Sequence, residues 1–159
     1  MKKTFFFLLV ALVVAHSQAQ DRRFGLGVIL GDPTGISAKY WTTGTNALAF
    51  GVGWSSQAIV VRRDIVYSST RFEMHADYLW HAFDAIRSSE RFPLFYGVGA
   101  RLETGGVESP TLGVRGVFGI AWLPHNTSLD VFIEVAPTLQ LAPSTGIGVG
   151  VGFGSRYFF

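Results

Sequence analysis

The chain of 159 residues contains no cysteine, so neither a disulfide nor a thiolate metal site can hold it together. It has one long apolar run, residues 5–15, and eleven residues are too few for a membrane-crossing helix, which needs about 20. From residue 24 to residue 159 no stretch carries an apolar period near 3.6, which excludes a chain of amphipathic helices. A surplus of one charge sign is missing too. Lys2 and Lys3 precede the apolar run, and without them the basic and acidic residues number eleven each. The pI of 9.2 is therefore partly a property of the first residues, and the electrostatic footprint of a nucleic-acid binder is absent.

Lys2 and Lys3, the apolar run and the small-residue segment Ser17-Gln18-Ala19 together read as a secretory signal peptide, residues 1–19, with cleavage expected after Ala19 or Gln20. Residues 20–159 are then one domain. Its 14% aromatic content and low net charge exclude a disordered chain.

Period-two alternation runs through nearly all of that domain and predicts eight strands: 24–30, 36–41, 47–54, 72–80, 94–103, 112–122, 129–136 and 147–159. In each strand one row is bulky and apolar, as in Phe72, Met74, Ala76, Tyr78 and Trp80. The other row holds glycines and the charged residues Lys39, Glu73, Asp77, Arg101, Glu103, Arg115, Asp130, Glu134 and Arg156, with His75 among them. The lumen of an eight-stranded barrel has room for only a modest filling of side chains. The 19 glycines therefore place the small and charged row inside and the bulky row outside. Apolar outside and polar inside is the pattern of an outer-membrane barrel, so the expected fold is an all-β, eight-stranded antiparallel up-and-down transmembrane β-barrel in a bacterial outer membrane.

Aromatic placement supports this reading. With both termini at the periplasmic rim, Tyr40, Tyr78, Trp80, Tyr96, Trp122 and Tyr157 fall at that rim and Trp54 and Phe72 at the other, as interfacial girdles require. The surface links are then 31–35, 55–71, 104–110 and 142–146. The longest contains two β-rich segments flanking Arg62-Arg63-Asp64 and reads as a hairpin continuing the third and fourth strands.

Three segments carry a resemblance: Gly31-Asp32-Pro33-Thr34-Gly35 through Lys39-Tyr40-Trp41; His75-Ala76-Asp77-Tyr78-Leu79-Trp80-His81; and Leu129-Asp130-Val131-Phe132-Ile133-Glu134-Val135-Ala136-Pro137. They resemble an uncharacterised family of small bacterial outer-membrane β-barrel proteins, broadly similar to the OmpA transmembrane domain. The resemblance implies fold and location and no reaction. The peptidoglycan-binding part of OmpA-like proteins is expected to be missing. Phe153, Tyr157 and Phe159 at the end of the chain resemble the C-terminal signal read by the barrel-assembly machinery, which the resemblance makes a partner alongside outer-membrane lipid.

The interior charges are the first candidate site. Hairpin geometry sets Glu73 across from Arg101, Arg115 across from Glu134, and Arg156 between Asp130 and Glu134. Four basic and five acidic residues nearly cancel, as a salt-bridged structural lumen requires; a porin-like gated pore or a small-molecule carrier is the alternative. A third reading is a lipid-modifying enzyme, with His75 oriented by Glu73 and Asp77 as a general base. No suitable serine lies near His75 on the lumen face, and His125-Asn126-Thr127-Ser128 lies in a turn, so no catalytic residue is assigned. His75, His81 and His125 form no ligand cluster, and the alternating glycines of 146–154 lack the strand–turn–helix context of a nucleotide site. No metal and no cofactor are expected. Arg62, Arg63 and Arg71 near the outer rim are candidates for surface or lipid-phosphate contact. The expected molecule is a monomer with a structural or surface-interaction role.

Overall fold

A computed structural model describes residues 22–56, 58–61, 64–67, 71–105 and 109–159, and for 58–61 and 64–67 the backbone alone. The expected signal segment, residues 1–19, lies outside the described residues, as do Arg62 and Arg63.

Ten strands follow in chain order: β1 (Phe24–Gly31), β2 (Thr34–Trp41), β3 (Asn46–Ser55), β4 (Ala58–Val61), β5 (Asp64–Tyr67), β6 (Arg71–Ala82), β7 (Leu94–Thr104), β8 (Thr111–Trp122), β9 (Leu129–Ala142) and β10 (Gly146–Phe158). Eight of them form an antiparallel wall in the order β1-β2-β3-β6-β7-β8-β9-β10. Pairing of β1 with β10, from Gly25 opposite Phe158 to Gly31 opposite Gly152, closes it into a barrel. The start of β1 and the C-terminal end of β10 lie at one rim, the terminal rim.

Tight links make neighbouring strands pair in sequence order. At the β1–β2 turn Gly31 takes φ +112°, a conformation that strains any residue with a Cβ. Thr34 Oγ1 accepts a hydrogen bond from Gly31 N at 3.0 Å and donates one to Gly31 O at 2.9 Å. At the β2–β3 turn Thr43 Oγ1 accepts from Asn46 N at 2.9 Å.

The wall is apolar outside. Val98, Trp54 and Ile147 expose about 60% of their surface, and apart from Asn46, Thr104 and Gly116 the other outward positions of β3, β6, β7 and β8 are also apolar or aromatic. Aromatic pairs mark both rims. Near the start of β1 and the end of β10, Tyr78 meets Trp80 edge-on at 4.9 Å and Trp80 stacks on Tyr96 at 5.7 Å, and Trp54 meets Phe72 edge-on at 6.2 Å at the far rim.

Inside, the glycines face large side chains. A Cβ on Gly154 would run into Phe132, on Gly119 into Phe95, on Gly97 into Leu79, and on Gly152 into Ile29. Those four apolar residues belong to one buried cluster with Ala49, Val117 and Ala121. Small residues on one strand thus make room for the filling supplied by the next.

Two departures from regularity have local causes. β9 continues six residues beyond the predicted end at Ala136, although Pro137 has no N–H to give its neighbour. The β8–β9 ladder runs from Phe118 opposite Val135 to Arg115 opposite Thr138 and skips the pairs between, where Gly116 and Pro137 face each other. The predicted hairpin forms as β4 and β5, and β4 also pairs with β10, with Ile147 opposite Val60 and Gly148 opposite Ile59. The short β1 stops at Gly31, so β10 keeps an open edge above Gly152, and β4 takes part of it.

Candidate functional site: the charged lumen

Lys39, Glu73, His75, Asp77, Arg101, Glu103, Arg115, Asp130, Glu134 and Arg156 are all buried, and all project into the lumen from β2, β6, β7, β8, β9 and β10. Burying a charge without a partner costs several kcal/mol even after relaxation, so the pairing decides whether this interior is tenable.

The charges form two sets. Nearest the terminal rim, Asp130 Oδ2 accepts from Lys39 Nζ at 3.1 Å and from Arg156 Nη1 at 3.2 Å. Arg156 Nε also donates to Ser37 Oγ at 2.9 Å, and its guanidinium lies 3.7 Å from the centre of the Phe132 ring. Lys39 Nζ lies 4.4 Å from the Trp41 ring centre, so both cations trade water for an aromatic face as well as a carboxylate.

The second set is longer. Arg115 donates to Glu134 Oε1 at 2.9 Å and also reaches Glu73 at 3.5 Å and Asp77 at 3.4 Å. Glu73 in turn sits 3.1 Å from Arg101 Nε, and Arg101 pairs with Glu103 and donates to Ser55 Oγ at 3.0 Å. Ser55 Oγ hydrogen-bonds Asp32 at the β1–β2 turn, which ties the far rim to the interior. His75 stands between two carboxylates, with Nδ1 3.1 Å from Glu73 and Nε2 3.9 Å from Asp77.

Arg71 departs from the expected surface position. It is buried, donates to Thr111 Oγ1 at 2.6 Å and lies 4.0 Å from Glu103, so it is a member of the second set and is not placed to touch lipid phosphate. The signal was present in the alternation, because Arg71 shares parity with Glu73, His75 and Asp77. The hydroxyl partners Ser37, Ser55, Thr111 and Thr138 carry no charge and escape a search for charges.

The two sets are unequal. The first holds two cations on one carboxylate; in the second, four carboxylates face three guanidiniums and His75. Phe132 separates Asp130 from Glu134 along β9, and the apolar cluster around it lies between the sets. Among the described residues no ion pair crosses that layer. Toward the far rim, the cavity bounded by Arg101, Glu103, Thr111, Gly113, Thr138 and Gln140 has a volume of about 10 Å³, close to the lower limit for a single water.

The remaining candidates are dispersed. Phe153, Tyr157 and Phe159 point outward from the end of the chain, exposed by 53%, 49% and 37%. His125 lies in the β8–β9 turn with Nδ1 3.4 Å from Glu90, far along the chain from His75 and at the opposite end of the strand from the second set. Among the described residues no group of three His, Cys, Asp or Glu side chains is arranged to hold a metal ion. No family model, no curated protein and no solved structure matches the chain.

Proposed function

We propose that the chain is an integral outer-membrane β-barrel protein, monomeric, with a structural or surface-interaction role and no reaction of its own. The observation that carries this reading is the inversion of the wall: Phe50, Val98, Phe118, Val151 and Phe153 face outward while twelve charged or histidine side chains are sealed inside. In water that arrangement exposes a continuous apolar band far larger than a soluble monomer tolerates. In a bilayer it is the required one. The aromatic residues at both rims suit the two interfaces, where an apolar ring and a polar edge are both accommodated.

The filled lumen favours a structural barrel over a channel or carrier. A conducting path has to pass the Ile29, Leu79, Phe95 and Phe132 layer and then break the Arg115 contacts. The β4–β5 hairpin extends the far rim beyond β3 and β6 and is the natural surface for recognition.

The test combines location with conductance. The mature chain is expected in the outer-membrane fraction, and its unboiled form should migrate differently from its boiled form in a denaturing gel. Reconstituted in a planar bilayer, it is expected to stay silent at all applied voltages. Recovery as a soluble monomer overturns the membrane reading, and steady single-channel steps replace the structural role with the pore.

A further inference from the structure

The terminal rim opens into a cavity of about 480 Å³ over the end of the lumen, within the size range of small-molecule sites. Its floor is aromatic. Trp41 sits 6.2 Å from Phe83 and 6.5 Å from Phe158, centroid to centroid, and these rings close the lumen below. Its walls carry Arg22 and Arg23 ahead of β1, and Arg91 from the β6–β7 link, with the hydroxyls of Thr43, Thr127 and Ser128 between them.

The charge here is one-sided. No Asp or Glu occurs among the described residues that line the cavity. Arg22 hydrogen-bonds the neutral Ser128 Oγ, which orients the guanidinium without neutralising it. His125 also borders the cavity but is matched by Glu90, so the excess comes from Arg22 and Arg91. The layer beneath adds to it, because Lys39 lies directly under Trp41 and shares the single carboxylate of Asp130 with Arg156. Cations on the rim and a buried cationic excess under an apolar floor raise the potential in the same concavity.

Guanidinium groups pair with phosphate and carboxylate through two parallel N–H···O bonds, and an aromatic floor takes an apolar body. We propose that this vestibule binds an amphipathic anion: a phosphate or carboxylate held by Arg22 and Arg91, with an apolar or aromatic portion on Trp41, Phe83 and Phe158. The anion is either a soluble small molecule or the headgroup of an anionic lipid, since both present the same chemistry to the arginines. The proposal stands whether or not the barrel resides in an outer membrane.

The experiment uses the full mature chain in a neutral detergent, with Trp54, Trp80 and Trp122 replaced by Phe so that Trp41 is the only emitter. Phenyl phosphate is the probe, and inorganic phosphate and phenol are the two half-probes. A saturable change in Trp41 emission is expected, with each half-probe at least about tenfold weaker. Arg22→Ala and Arg91→Ala are each expected to weaken binding about tenfold, and Arg91→Lys less, because a lysine keeps the charge but loses the fork. Both arginines are exposed, so an unchanged gel shift on boiling serves as the folding control. Repeating the titration in phosphatidylcholine nanodiscs with and without phosphatidylglycerol separates the sources. Competition by phosphatidylglycerol identifies a lipid headgroup, and its absence identifies a soluble anion. A non-saturating response, or one that the double Arg22→Ala, Arg91→Ala variant retains in full, overturns the proposal.

Discussion

Gly51 and His75 face each other across the β3–β6 ladder, and the His75 imidazole occupies the space that a side chain at 51 would take. No backbone atom is among the three nearest neighbours of that position; all three belong to the imidazole. The fit between a glycine on one strand and a bulky lumen residue on the next is thus testable at this pair without disturbing the wall. Gly51→Ala is expected to cost about 1–3 kcal/mol, the usual penalty for overpacking. In the background of His75→Ala the same substitution should cost much less, so the double variant falls short of the sum of the singles. Urea unfolding of the four proteins in one detergent measures the coupling, and strict additivity means that the imidazole does not fill the space.

Arg115 is the cation on which the second charge set converges. It contacts Glu134, Glu73 and Asp77, and all four side chains are buried. Arg115→Met keeps much of the volume and removes the charge, leaving Glu134 without its 2.9 Å partner. A loss of about 3–5 kcal/mol is expected, the range for breaking one side of a buried pair. Adding Glu134→Gln should recover part of it, because a neutral amide tolerates burial without a cation. An equal loss in the single and double variants means that the stabilisation does not come from this pair.

Strand number, facing and order were legible in the sequence because the alternation is so regular. Glu73, His75 and Asp77 recur at every second position of one strand, and Phe72, Met74 and Ala76 fill the positions between. A period of two leaves only the choice of which row faces in, and the glycines settle that by volume. Tertiary partnership was less legible. Arg101 pairs with Glu103 on its own strand as well as with Glu73 across the ladder, a distinction made by rotamers that the alternation does not contain. The far end of β9 was hidden by Pro137, which reads as a strand terminus but sits where the β8–β9 ladder skips two pairs. Arg71 was misplaced because it lies next to a predicted loop, though its parity points inward.

Val98 tests what surrounds the barrel. It is 61% exposed on β7, flanked by Tyr96 and Ala100 on the same face, with Phe118 across the β7–β8 ladder from Tyr96. Val98→Arg places a charge in the outward band. In a bilayer this costs about 2–4 kcal/mol near the midplane, whereas an exposed substitution on a water-soluble protein stays within about 0.5 kcal/mol. Unfolding of wild-type and variant protein in phosphatidylcholine vesicles gives the difference directly. A cost near zero argues for water at Val98; a cost of several kcal/mol argues for lipid.

The β4–β5 hairpin has a mechanical role that deletion can expose. Beyond Gly152, β10 has lost its β1 partner, and β4 pairs with it only at Ile147 and Gly148. The remaining length of β10, from Gly152 to Phe158, is held on both sides by β1 and β9. Removing residues 58–66 should therefore leave a closed barrel with an intact terminal rim. Amide exchange within 146–149 is expected to speed up, because an edge open to water loses the local protection of paired backbone. The amides from 152 to 158 should stay as slow as in the full chain. Unchanged exchange across 146–149 means that β9 alone protects this segment and the hairpin merely rests beside it. Acceleration along the whole of β10 means that the hairpin helps to close the barrel itself, which gives this loop a share in stability as well as in surface contact.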